Sequence, residues 1–200
     1  MSKKKGIAVS VVLLLVLLIG GMLAYFTDTD TVTNVFTLGD DVEISLTESF
    51  TPADAQGIHP GAVVAKAPSI KNDSTTTPAY VFAEVVVPCY ATTGTTVNAD
   101  LFTFTPNSGW TLINTPTINT TTKTKTYVYA YGTSTNMTPL AANTTTSTAV
   151  FSNVTLVSTL TEAQAATAPT APNIVVNAYG IQTDSLGVTT PTAIFALFNN

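Results

Sequence analysis

The sequence predicts an all-β sandwich with one or two short helices, preceded by an N-terminal signal peptide. Thr, a β-branched residue that favours strands, accounts for 40 of the 200 residues. Short runs of strand-forming residues alternate with Gly-, Pro- and Asn-containing turn signals along most of the chain. Helical periodicity is scarce, and no segment repeats at a fixed period, which argues against a solenoid or propeller.

The first 24 residues have the composition of a signal peptide. Three lysines at positions 3–5 precede an uncharged, apolar run at residues 6–26, and this order is typical of export signals. The small residue Ala24 predicts cleavage nearby, within Met22, Leu23, Ala24 and Tyr25. The run is also long enough to cross a bilayer, so an uncleaved anchor is the alternative. We expect the protein to contact the membrane only while the segment is uncleaved.

The exported part is predicted to form strands in a regular series. Period-two alternation places a half-buried strand at residues 42–47. Residues 78–88 are apolar on both faces and bounded by Pro, as expected of a strand inside a sandwich. Further strands are predicted at residues 63–71, 101–105, 110–113, 125–131, 148–157 and 173–183. We expect a domain boundary near residue 38, with the sandwich at residues 39–200.

Two short helices complete the prediction. Residues 160–166 are rich in helix formers, with Thr161 or Ser158 near the start. Residues 192–198 follow Thr190 and Pro191, an N-cap residue and a first-turn Pro.

Composition argues against several functional classes. The chain has 7 Lys, no Arg and 12 acidic residues, so we expect no binding to nucleic acid, which requires clustered cations. The single Cys89 excludes an intramolecular disulfide framework, and the single His59 excludes the two-His helix motif of common metalloproteases. We therefore predict no cofactor, no metal site and no catalytic residues.

His59 and one acidic cluster still have side chains that are able to bind a metal ion. His59 precedes Pro-Gly and is expected in an exposed turn rather than at a metal. Asp40, Asp41 and Glu43 form the densest acidic cluster and are expected in a solvated turn, with Ca²⁺ binding as the alternative.

Cys89 and Glu84, in or next to the apolar segment at 78–88, each have two possible interpretations. Cys89 is expected to be a small buried hydrophobe, and an exposed thiol that couples two subunits is the alternative. Glu84 is expected at an exposed or edge position; if it is buried, it needs a partner such as Lys66 or Lys71.

Several motifs resemble those of one family. The junction GGMLAYFTD at residues 20–28, the segment NVFTLG at 34–39 and the alternating residues 42–44 follow one another as in the SipW-dependent exported proteins, the TasA and camelysin family. The segment VVNAYGIQT at 175–183 is similar to the family's final strand. The resemblance implies a jelly-roll-like antiparallel sandwich, cleavage by a dedicated signal peptidase, and secretion to the cell surface or exterior.

The resemblance also implies assembly through the new N-terminus. In polymerising family members this segment pairs with the sheet of a neighbouring subunit. Here residues 25–38 are the candidate donor strand, with Val32, Asn34, Phe36 and Leu38 on one face. The alternative is that this segment forms the first strand of its own sandwich.

The leading expectation is a secreted structural subunit of an extracellular fibre or biofilm matrix, a homopolymer without enzymatic activity. One alternative is a monomeric surface binding module with an uncleaved anchor. The other is a camelysin-like protease, because camelysin is described as a metalloprotease.

Overall fold

The computed structural model describes residues 42–199. These residues belong to one compact unit. Its strands are β1 (Ile44–Phe50), β2 (Val63–Asn72), β3 (Ala79–Tyr90), β4 (Ala99–Asp100), β5 (Phe102–Thr103), β6 (Trp110–Leu112), β7 (Thr117–Asn119), β8 (Thr124–Tyr131), β9 (Thr144–Thr145), β10 (Asn153–Leu156) and β11 (Val175–Gln182). The α-helices are α1 (Glu162–Ala165) and α2 (Pro191–Ala196), and single 3₁₀ turns lie at Pro52–Ala55 and Leu197–Asn199.

The strands form two antiparallel sheets. The first sheet has the order β1-β2-β10-β5, with the short β9 also paired to β2. The second sheet has the order β11-β3-β8-β6, with β4 paired to β3 and β7 to β8. The predicted all-β antiparallel sandwich is therefore confirmed.

The main core lies between the two sheets. Alternate residues of β3, including Val81 and Val85, point into it and are fully buried, as are Ile70 of β2 and Phe151 near β10. Because side chains alternate across a strand, the other residues of β3 face outward from the sandwich.

A second apolar layer covers part of that outward face. Phe82 of β3 is fully buried against Ile194 of α2 and lies 5.2 Å, ring centre to ring centre, from Phe195. The helix begins as predicted, since the Thr190 Oγ1 accepts a hydrogen bond from the Ala193 amide. This layer explains why β3 is apolar on both faces.

The predicted elements within residues 42–199 are all present, with different lengths. β1 begins two residues later than predicted and continues to Phe50, whereas residues 148–157 contain only the four-residue β10. The short strands β4, β7 and β9 were not predicted individually. Helix α1 uses Thr161 as its N-cap, in a capping box with Gln164.

Some predictions lie outside the described residues. These are the signal peptide, the cleavage region Met22–Tyr25 and the candidate donor strand with Val32, Asn34, Phe36 and Leu38. Within residues 42–199, no helix has both the length and the hydrophobicity that crossing a membrane requires.

Candidate functional site

One side of the sandwich is open. There β1 ends the first sheet and β11 ends the second, and each has a single neighbouring strand among the described residues. The two strands approach each other at one point, where the Cγ2 of Ile44 lies 2.6 Å from the place that a Cβ would occupy on Gly180. An unpaired strand edge presents free N–H and C=O groups to which another strand can bind.

The inner face of β1 is incompletely covered. Leu46, Glu48 and Phe50 are in register with the core-facing residues of β2 and therefore point to the interior side of the sheet. Nevertheless Leu46 is 37% exposed and Phe50 is 38% exposed. In a sandwich the opposite sheet normally covers such side chains. Among the described residues, the second sheet ends at β11, before it covers this part of β1.

A partly buried ion pair lies in the middle of this face. The Nζ of Lys66 is 2.6 Å from the Oε1 of Glu48 and 5.1 Å from the centre of the Phe50 ring. Lys66 is only 9% exposed, so its ammonium group depends on the carboxylate to offset the cost of burial. The open face thus carries apolar groups at both ends and a paired charge between them.

The open side continues into a cleft of about 490 Å³. It is lined by apolar side chains from the first sheet, from residues 52–58 and from the segment that precedes β11. They include Phe50, Ile58, Val64, Phe102, Val154 and Ile174. We call the cleft, together with the free edge of β11 and the inner face of β1, the open slot.

A second cluster surrounds Asp100 on β4. The Oδ2 of Asp100 accepts a hydrogen bond from the hydroxyl of Tyr127, and the Cys89 Sγ lies 3.5 Å from the Oδ1. The Nζ of Lys125 is 3.7 Å from the Oδ2. The carboxylate therefore contacts one hydroxyl, one thiol and one ammonium group.

The environment of this cluster keeps the thiol and the two phenol groups protonated. Burial, together with the neighbouring Asp100 carboxylate, raises the pKa of Cys89 from 9.0 to about 12. The same two causes raise the pKa of the Tyr127 hydroxyl. Burial and the adjacent Tyr127 raise the pKa of Tyr129 to about 12. A protonated, buried thiol is a weak nucleophile and a weak metal ligand, which favours a structural role for Cys89.

The structure separates the candidate residues of the sequence. His59 is exposed in its turn, where its carbonyl accepts a hydrogen bond from the Ala62 amide. Cys89 is fully buried, as predicted. Glu43 is exposed, and its partners in the acidic cluster, Asp40 and Asp41, lie outside the described residues.

Glu84 is half-buried on an inner strand, so the expected exposed or edge position is wrong, and the suggested lysine partners are wrong as well. Its Oε1 accepts hydrogen bonds from the Nδ2 of Asn177 at 2.9 Å and from the hydroxyl of Tyr179 at 3.4 Å. Both partners lie on β11, the strand that pairs with β3. Lys66 instead pairs with Glu48 on the other sheet.

The comparisons with known proteins give one family. Residues 1–98 match the family model described as Camelysin metallo-endopeptidase, which confirms the resemblance to camelysins over the first part of the chain. No curated protein and no solved structure matches the chain.

This match corrects one expectation. The sequence led us to expect no enzymatic activity, but the matched family is described as a metallo-endopeptidase. A metal centre is therefore implied, and the described residues do not fit one. Residues 42–199 contain no group of three or more His, Cys, Asp or Glu side chains that could hold a metal ion. We derive no metal-dependent step from them.

Replacing Gly180 with Ala tests the contact between β1 and β11. The added Cβ would lie 2.6 Å from the Ile44 Cγ2, so we expect a loss of about 1–3 kcal/mol in the free energy of unfolding. Urea denaturation measures it. The double variant Gly180→Ala/Ile44→Ala should lose less than the sum of the two single variants, because the overlap is removed. Additive losses would contradict the contact.

The raised pKa values predict a decrease in stability at high pH. Cys89 titrates near 9.0 and Tyr129 near 10.0 when unperturbed, and both titrate near 12 in the folded chain. Above pH 9 the unfolded chain therefore holds fewer protons than the folded one, and the free energy of unfolding falls between pH 9 and 12. Urea denaturation at pH 8, 10 and 11 measures this effect. Cys89→Ala should flatten the first part of the decrease; an unchanged curve would contradict the assignment.

Proposed function

We propose that this chain is the exported subunit of an extracellular fibre or matrix, which assembles when the N-terminal strand of one copy binds the open slot of the next. The observation that carries the proposal is the uncovered inner face of β1 beside the free edge of β11. An additional strand paired with β11 would lengthen the second sheet and cover that face. Strand addition of this type obtains affinity from main-chain hydrogen bonds and register from side-chain pockets.

The pattern of the candidate donor strand suits the slot. Val32, Asn34 and Phe36 alternate on one face as apolar, polar and apolar residues. The slot has the matching order, with Leu46 and Phe50 on either side of the Lys66–Glu48 pair. Burying two apolar side chains of this size contributes roughly 3–6 kcal/mol before the cost of ordering the strand.

Strand exchange also determines the form of the assembly. A donor strand and an acceptor slot are different surfaces, so the contact is head-to-tail and does not close on itself. Repeated contacts of this type produce a filament.

Deletion of residues 27–38 separates assembly in trans from folding in cis. If the segment binds a neighbour, the shortened chain should remain folded and monomeric and should form no filaments. Circular dichroism, size-exclusion chromatography and negative-stain electron microscopy measure these properties. An unfolded product would show that the segment is the first strand of its own sandwich.

Mass spectrometry of secreted protein should give an N-terminus near Tyr25, because the signal peptide is expected to be cleaved there. An intact N-terminus would favour the anchored module.

A substitution within the slot provides a matched control. Leu46→Asp places a charge where the donor strand is expected, and we expect filaments to be lost while the fold is retained. Leu112→Asp changes a residue of similar exposure, 40% against 37%, on β6 at the other end of the second sheet. This variant should polymerise normally. Normal polymerisation of Leu46→Asp would exclude the slot.

The family match favours peptidase activity as a second candidate function. A metal-dependent peptidase that uses the only histidine should cleave casein, and the cleavage should be lost with a chelator and on His59→Ala. His59 is exposed, so the substitution should leave the fold intact. Cleavage that survives both treatments would contradict this candidate.

A further inference from the structure

A second cleft, which shares no lining residue with the cleft of the open slot, lies on the outer face of the first sheet. Its volume is about 360 Å³, and Val63, Thr103, Thr105, Asn153 and Thr155 are among its lining residues. Thr155 of β10 is in register with Val63 of β2 on one side and Thr103 of β5 on the other. These three side chains therefore form a row across three strands, spaced about 4.8 Å apart.

The polar side chains of this cleft are not satisfied internally. Thr103, Thr105, Asn153 and Thr155 make no side-chain hydrogen bond among the described residues. Asn107 shows the contrast, since its Nδ2 donates to the Ala149 carbonyl at 2.9 Å and to the Ser152 Oγ at 3.1 Å. Three hydroxyls and one amide are thus available to a ligand. The hydrogen bond between Asn107 and Ser152 fixes the adjacent part of the cleft lining.

The cleft also has an apolar floor and border. The Phe104 ring is fixed by contacts with Phe151 at 4.6 Å and with Tyr129 at 6.0 Å, ring centre to ring centre. Val63, at the end of this row, is 63% exposed. The lining residues include no charged side chain.

We propose that this cleft binds a neutral oligosaccharide. Hydroxyl and amide groups can donate and accept hydrogen bonds with sugar hydroxyls, and the apolar border suits the C–H face of a sugar ring. An uncharged lining provides no partner for a phosphate or a carboxylate, which favours a neutral sugar over an acidic one. The ligand would come from a neutral glucan or from an N-acetylated glycan, which share this chemistry. The proposal does not depend on fibre assembly.

The test uses the full chain, purified in a zwitterionic detergent without a sugar headgroup. Cellohexaose and chitohexaose are titrated separately, and binding is followed by calorimetry and by NMR chemical-shift changes. We expect millimolar binding of at least one of them, with shifts at Thr103 and Thr155. Binding of cellohexaose alone indicates a glucan, and tighter binding of chitohexaose indicates an N-acetylated glycan. Absence of binding to both would overturn the proposal.

Two variants locate the binding. Thr103→Val/Thr155→Val removes two hydroxyls with little change in shape, and we expect about a tenfold loss of affinity, since each hydrogen bond contributes a few-fold. Thr117→Val, an exposed strand position of the second sheet, should bind as the parent does. Equal affinity for the double variant would overturn the proposal. Shifts at the cleft that depend on protein concentration rather than sugar would assign it to a second copy and would also overturn it.

Discussion

The fold depends on the need to cover β3 on both faces. This strand contributes fully buried apolar residues to the space between the sheets, such as Val85, and to the opposite side, such as Phe82. The first sheet covers one face, and α2 with the last turn of the chain covers much of the other. Neither cover is sufficient alone, because removing either would expose large apolar side chains to water. The described part of the chain is therefore organised around β3 in three layers.

The open slot follows from how these layers end. At β11 the second sheet has no further strand among the described residues, and the inner face of β1 lacks part of its cover. The same strand, β11, supplies Asn177 and Tyr179 to the Glu84 carboxylate. It is thus well fixed on one edge and available on the other. A rigid edge loses little conformational entropy when a further strand binds, which favours strand addition there.

Much of this fold was predictable because its strands obey local patterns. Runs of strand-forming residues between turn signals located β2, β3, β8 and β11 to within a few residues. The cap residues Thr161 and Thr190 identified both helices. The two-residue strands β4 and β9 were not predictable individually, because their pairing depends on neighbours distant in sequence.

The site was less predictable for the same reason. Which edge is free, and which carboxylate meets Lys66, depends on the order of strands in a sheet rather than on spacing along the chain. One signal did exist, since Lys66 occupies a core-facing position of an alternating strand and therefore requires a partner. The Asp100 cluster joins three strands, and no local pattern indicates it.

The pairing of β3 with β11 has a consequence for folding. Val86 and Val175 are paired in register although most of the domain lies between them in the sequence. Long-range antiparallel pairing of this kind raises the contact order and slows folding, since a large loop must close before the contact forms. The second sheet therefore cannot be completed until β11 is present, and we expect the domain to fold slowly for this reason.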